Sequence, residues 1–148
     1  MSWIKDTLAF ASSRLVTIPL TATVVEAAKL LNNARTSLIV VCNSEGGLDG
    51  VMTKSDIVRQ ISRCQGCSCT ALVAEVMTRD VVTCQPEQSL HDVWRVMKDK
   101  KLKQIPIVDR QSIPVGLLYA DEALEVLMKE VEDEQVLLRE YVMGLGYH

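Results

Sequence analysis

Three thiols fall within six residues at Cys64-Gln65-Gly66-Cys67-Ser68-Cys69. A C-x-x-C pair with a third thiol beside it suits a soft metal or a redox-sensitive disulfide. Zinc needs a fourth ligand and the sequence holds no second C-x-x-C, so Cys84 or His91 would have to reach the group. The plainer reading is a loop between helices. With Cys42 the chain has five cysteines, an odd number scattered through core-forming sequence, which reads as reduced thiols rather than the paired framework of a secreted scaffold.

A second group, Thr53, Ser55 and Asp56, sets two hydroxyls and a carboxylate at a strand-to-helix junction. Each also has an ordinary structural use: an acid in the first turn of a helix accepts from orphan amides, and Thr is common at strand ends. No Ser/His/Asp or Cys/His arrangement at a recognised local signature accompanies them. His91 lies between apolar positions of a helix and is expected to face solvent, and His148 is terminal. Nothing here reads as an enzyme.

The elements that must position these residues come in two copies. Thr23 to Leu31 aligns with Ser89 to Met97 at an offset of 66 residues. In the first copy Val24, Ala27, Ala28 and Leu31 fall at i, i+3, i+4 and i+7, and Leu90, Val93, Trp94 and Met97 repeat the stripe, so each helix has one apolar face. Thr23 with Glu26 and Ser89 with Asp92 predict a capped start for both. A β-type run follows in each copy, Leu38 to Cys42 and Ile105 to Asp109, then a turn region and a second strand opened by Gly50 or Gly116. Each copy reads strand, helix, strand, strand, helix, beginning near Val16-Thr17 and Val82-Thr83. Such a unit has too little core to stand alone, so the two should bury sheet faces against each other.

Composition narrows the function classes. A chain of 148 residues with 48% hydrophobic content is one globular unit or two fused halves. A net charge of -3 with no basic run offers no field for nucleic acid or anionic lipid. No apolar run approaches the roughly 20 residues of a membrane span. Ala9 to Ser12 faintly suggests a signal-peptidase site, but Lys5 and Asp6 leave the preceding apolar stretch too short. A cytoplasmic location is expected.

The run Gly50-Val51-Met52-Thr53-Lys54-Ser55-Asp56 resembles the glycine, apolar, apolar, Thr, x, x, Asp signature that closes a cystathionine-β-synthase (CBS) motif. Glu75 to Thr83 resembles the opening of the next motif, and Gln104-Ile105-Pro106-Ile107-Val108-Asp109 its middle strand. The resemblance covers roughly Leu15 to Met128. It implies an α+β fold of two β-α-β-β-α motifs about a pseudo-twofold axis, small sheets face to face with helices outside. The implied division is an N-terminal helical segment (1–14), motif one (15–65), a linker with a short helix (66–80), motif two (81–130) and a C-terminal helical extension (131–148).

The resemblance further implies a regulatory module, commonly a homodimer, that signals to a protein partner. Its ligand would be AMP, ADP, ATP or S-adenosylmethionine, with no cofactor required. Asp56 would accept from both ribose hydroxyls, as a carboxylate can from a diol, with Thr53 and Ser55 beside the phosphate. Val82, Thr83, Ile105 and Pro106 would meet the adenine, and Thr36 is assigned to the same ligand set. A second cleft would use Val16, Thr17 and Ile18 with Lys103, Asp121 and Glu122. There Tyr119 replaces the hydroxyl residue and Glu122 the Asp, while Asp121 sits one place early, about 100° around a helix. One competent cleft and one degenerate cleft are therefore expected. The alternative is a ligand-free structural dimer that scaffolds another protein.

Both ends lie outside the repeats. Leu124, Leu127, Met128, Val131, Leu138, Val142 and Leu145 predict a long terminal helix, and Ile4, Leu8, Ala11 and Leu15 a shorter apolar stripe that packs on it or on the core.

Overall fold

The computed structural model describes residues 2–64 and 70–146. Three short helical turns over Ile4–Thr7, Leu8–Ala11 (α1) and Ser12–Arg14 lead into β1 (Thr17–Pro19) and α2 (Val24–Leu31). The chain continues through β2 (Leu38–Cys42), β3 (Leu48–Thr53), α3 (Lys54–Arg63) and α4 (Val73–Val76). The second copy is α5 (Leu90–Asp99), β4 (Gln104–Val108), β5 (Pro114–Tyr119) and α6 (Ala120–Gly146).

Leu38 to Cys42 is apolar at every position because both its faces are covered, the pattern of a strand between two layers. Alternate side chains separate: Ile39, Val41 and Met52 join Val24, Ala27 and Leu31 of α2 in one core. Leu38, Val40 and Val51 meet Leu117 of β5 in the layer between the two sheets. Ile105, Ile107 and Leu118 pack with Leu90, Val93 and Met97 of α5 in a third core. Thus the two sheets face each other with helices outside, as the alternation requires.

The sheets correspond residue by residue. β2 pairs antiparallel with β3, and β4 with β5, each with a register shift, at Val41/Cys42 and at Ile107/Val108. Gly46 turns the first hairpin at φ 87°, and Ser112, its counterpart at the 66-residue offset, does so at φ 63°.

The expected strand at Val82-Thr83 is not formed. In the first copy Val40 donates its amide to Val16 O at 2.9 Å and Leu20 donates to Cys42 O at 3.0 Å, holding β1 against β2. The counterparts of Val40 and Leu20 are Pro106 and Pro86, which have no N–H. Only the central bonds remain, Cys84 N to Pro106 O at 3.1 Å and Val108 N to Cys84 O at 2.8 Å, so the strand shrinks to one bridge.

The helix caps also differ. Thr23 Oγ1 accepts from Glu26 N at 3.1 Å and Glu26 reaches back to Thr23 N at 3.2 Å. Ser89, with ψ 129° rather than Thr23's 160°, makes no side-chain cap bond.

Each repeat is completed by the segment that precedes the other. Leu72 bridges to Thr23, and Val73, fully buried, joins the first core. Trp3 bridges to Ser89, and Ile4, also fully buried, joins the second. The N-terminal segment therefore belongs to the second repeat's core and also meets α6, where Ser2 Oγ donates to Glu130 Oε2 at 3.1 Å. α6 runs unbroken from the second core through residues 131–140, which are exposed throughout.

Candidate functional site

Gly50 opens the junction that places Thr53. A Cβ there would lie 2.7 Å from Met77 Sδ and 2.8 Å from Thr78 O, so only glycine lets the 72–80 connection close against β3. That contact brings Thr78 to the first turn of α3, where Val51 and Thr78 exchange backbone bonds of 3.0 and 2.9 Å.

Asp56, 2% exposed, is engaged at both oxygens. Oδ2 accepts from Thr53 N at 2.9 Å and Thr53 Oγ1 at 3.2 Å, so Asp56 closes the α3 capping box. Oδ1 accepts from Thr78 Oγ1 at 3.2 Å and from Arg59 at 3.3 Å. The carboxylate expected to meet a ligand is thus held by the protein itself.

In front of this cap lies an open cleft of about 340 Å³ between the repeats. Leu38, Val51 and Thr53 form the first repeat's wall, Thr78, Asp80, Val81 and Val82 come from the connection, and Lys101 to Pro106 form the second repeat's wall. Of the expected set, Thr53, Val82, Ile105 and Pro106 meet here. Asp56 sits beneath Thr53 and Thr78, Ser55 and Thr83 are exposed elsewhere, and half-buried Thr36 is not on the wall.

The helix end of α5 delivers the two lysines. Lys101 adopts a left-handed φ of 57°, and Leu102 N returns to Met97 O at 2.8 Å, which turns the chain sharply into β4. A left-handed non-glycine costs roughly 1 kcal/mol. The turn sets Lys101 and Lys103 on the rim beside Ile105 and Pro106. Lys103, expected on the second cleft, lines this one and also an adjoining cavity of about 580 Å³ that reaches Ser37, Tyr119 and Asp121.

Pro106 has a second effect at this cleft. Because it carries no amide proton, the Val82 carbonyl has no hydrogen-bond partner among the described residues, whereas the matching Val16 carbonyl is taken by Val40 N.

The second repeat fills the corresponding place with its own side chains. Tyr119 stands where Thr53 would, and the Arg14 guanidinium lies over its ring at 5.4 Å. Arg14 also pairs with Glu122, the counterpart of Asp56, at 3.4 Å. Tyr119 Oη comes within 3.5 Å of Ser37 Oγ, and Ser37 donates to Gln104 at 3.0 Å. Asp121 is exposed and turned to the Glu122 amide at 2.8 Å, Ile18 is in the first core, and Thr17 is exposed. Arg14, Thr78, Asp80 and Lys101 were not singled out from sequence. Extending the 66-residue offset one step further would have paired Arg14 with Asp80.

Cys64 caps the end of α3, half-buried, while Cys67 and Cys69 lie outside the described residues. Among the described residues no group of His, Cys, Asp and Glu is placed to hold a metal. Burial pushes the Cys84 thiol up to about 12, and burial with the nearby Asp49 charge raises Cys42. Among the described residues no helix is long and apolar enough to cross a membrane.

Two repeated α+β units, sheet to sheet with a cleft between them, define a tandem-motif module. The chain belongs to the CBS domain family: the family model, CBS domain, matches residues 4–63 and again 73–129. It is 29% identical over 130 residues to the CBS domain-containing protein YhcV of Bacillus subtilis, covering 88% of this chain and 89% of that protein. Among solved structures it is similar to the CBS domain pair of protein MJ0100 in complex with 5-methylthioadenosine and S-adenosyl-L-methionine. There the TM-score is 0.70 at 24% identity, over 88% of this chain and 98% of that one. It is also similar to CBSX2 in complex with AMP, with a TM-score of 0.71 at 19% identity, over 87% and 98%.

Proposed function

We propose that this CBS pair is a non-catalytic regulatory module that binds one adenine nucleotide in the cleft between Thr53 and Pro106 and passes its occupancy to a protein partner. The observation that carries the reading is the unpartnered Val82 carbonyl beside the apolar Ile105 and Pro106. Val82 is half-buried, and a ligand that covers its carbonyl must supply a donor, which the exocyclic amine of adenine does over a flat apolar wall. The two similar structures, one in complex with 5-methylthioadenosine and S-adenosyl-L-methionine and one with AMP, support an adenosyl ligand.

Lys101 and Lys103 favour AMP, ADP or ATP over S-adenosylmethionine, because two ammonium groups attract phosphate and repel a sulfonium. Asp56 serves the ribose only after Thr78 releases Oδ1, which ties ligand entry to the connection between the repeats. The cleft built around Tyr119 and Arg14 stays empty of ligand. In this reading the module self-associates, acts in the cytoplasm, and engages neither nucleic acid nor membrane.

The alternative, a ligand-free scaffold, is favoured by one feature: every acceptor of Asp56 that a ribose would use is already engaged. Thermal-shift titration with AMP, ADP, ATP and S-adenosylmethionine separates the two. A ligand at a hundred times its Kd adds about 2.7 kcal/mol, several degrees for a domain of this size. The nucleotides should shift the melting point, less so in Lys103→Ala; no shift with any of the four supports the scaffold.

A further inference from the structure

Lys98 stands between an inner cavity and an outer groove. Its ammonium lies over the ring of Trp94, one turn back on α5, at 5.5 Å, and its side chain lines the cavity of about 580 Å³ that adjoins the nucleotide cleft. The same Trp94 lines, with Leu124, Leu127, Met128 and Val131 of α6, an apolar groove of about 330 Å³. One side chain thus joins the wall of the cavity to the lining of the groove. The first repeat has no such link, because the counterparts of Trp94 and Lys98 at the 66-residue offset are Ala28 and Asn32.

The cleft and the adjoining cavity share part of their lining. Lys101, Leu102, Lys103 and Gln104 border both, so a ligand whose phosphate meets Lys101 and Lys103 has the adjoining cavity as its next space. Three ammonium groups line that cavity, from Lys98, Lys101 and Lys103, against one carboxylate, Asp121, whose Oδ1 is turned to the Glu122 amide. Asp80 is the carboxylate of the cleft itself. A single phosphate is matched by the two shared lysines. A longer chain carries further negative charge past them, and Lys98 is the next cation it meets. A charge-assisted hydrogen bond to phosphate is stronger than an exposed contact between a cation and a ring, so the phosphate prevails over Trp94. The chain needs only the lysine wall, and the place that Tyr119 and Arg14 fill is left as it is.

We infer that the phosphate chain of a nucleoside di- or triphosphate reaches Lys98 and draws it off the Trp94 ring, so that the length of the chain is reported at the α5–α6 groove. This rests on the adenine site proposed above and adds which part of the nucleotide carries the signal. AMP binds and leaves Trp94 undisturbed; ADP and ATP bind and disturb it.

Tryptophan fluorescence of the full chain, titrated with AMP, ADP and ATP beside calorimetry on the same samples, tests it. ADP and ATP should change the emission in step with binding, and AMP should bind without changing it. Trp94→Phe, which keeps Trp3, should lose the change. Lys98→Met should lose it too, and should lower the ratio of ATP to AMP affinity about tenfold, the worth of one hydrogen bond to a charged group. Lys98→Arg keeps the cation and should keep both properties. Lys98 is exposed, so these replacements should melt with wild type. An equal change with AMP, ATP binding with no change, or Lys98→Met responding as wild type does overturns the inference while the adenine site stands. Heat from none of the three nucleotides overturns the inference and the site together.

Discussion

Thr78 donates its hydroxyl to Oδ1 of Asp56 at 3.2 Å, joining the connection between the repeats to the first turn of α3. The bond makes one carboxylate both a helix cap and a clasp on the segment that completes the first core. Asp56→Ala should cost about 2 kcal/mol, a lost cap together with unpaired buried donors, and Thr78→Val about 1 kcal/mol. A double-mutant cycle by urea denaturation should return a coupling of about 1 kcal/mol. Strict additivity would mean the bond contributes nothing. Arg59, more than half exposed, should add little to that sum.

The two motif glycines should not tolerate a methyl equally. Gly50→Ala meets Met77 Sδ and Thr78 O inside 3 Å, whereas the nearest atoms at Gly116 are those of Ala11 at 3.2 Å. Overpacking of the first kind costs about 1–3 kcal/mol. Thermal denaturation should rank Gly50→Ala below Gly116→Ala; the reverse order would contradict the close approach of the connection to β3.

Cys84 sets an alkaline limit on stability. Its thiol ordinarily titrates near 9.0 and is pushed up to about 12 by burial. The unfolded chain therefore loses this proton first as pH rises. The stabilising contribution is complete below pH 9 and declines through the window from 9 to about 12, by about 1.4 kcal/mol per pH unit within it. Urea midpoints measured from pH 8 to 11 should fall less steeply in Cys84→Ala than in wild type. In native protein at pH 8, Cys84 should resist iodoacetamide while the half-buried Cys42 and Cys64 react faster.

Much of this architecture was legible because a single offset aligned helix stripes, strand runs and glycines. Leu38 to Cys42 announced a doubly covered strand, and Tyr119 and Glu122 marked where the second repeat departs from the first. What the sequence concealed has physical causes. Short amphipathic segments such as Ile4 to Ala11 show an apolar side but not which core it covers, and here each crosses to the other repeat. The strand at Val82-Thr83 has suitable residue types; its loss is decided by Pro86 and Pro106, which remove donors from a ladder that only the fold assembles. Ser89 has the right type for a cap and the wrong ψ. Lys101 reaches the cleft through a left-handed turn that no lysine preference predicts. Asp56 was assigned to a ligand, and the fold first uses it for itself.

The most direct test is isothermal titration of AMP into wild type and Pro106→Val. Valine at 106 supplies the missing amide, as Val40 does in the first repeat, and should consume the Val82 carbonyl. Wild type should bind one AMP per chain, and Pro106→Val should bind about tenfold more weakly, the worth of one hydrogen bond. Two AMP per chain, no heat at all, or equal affinity in the variant would contradict a single adenine site built on that free carbonyl.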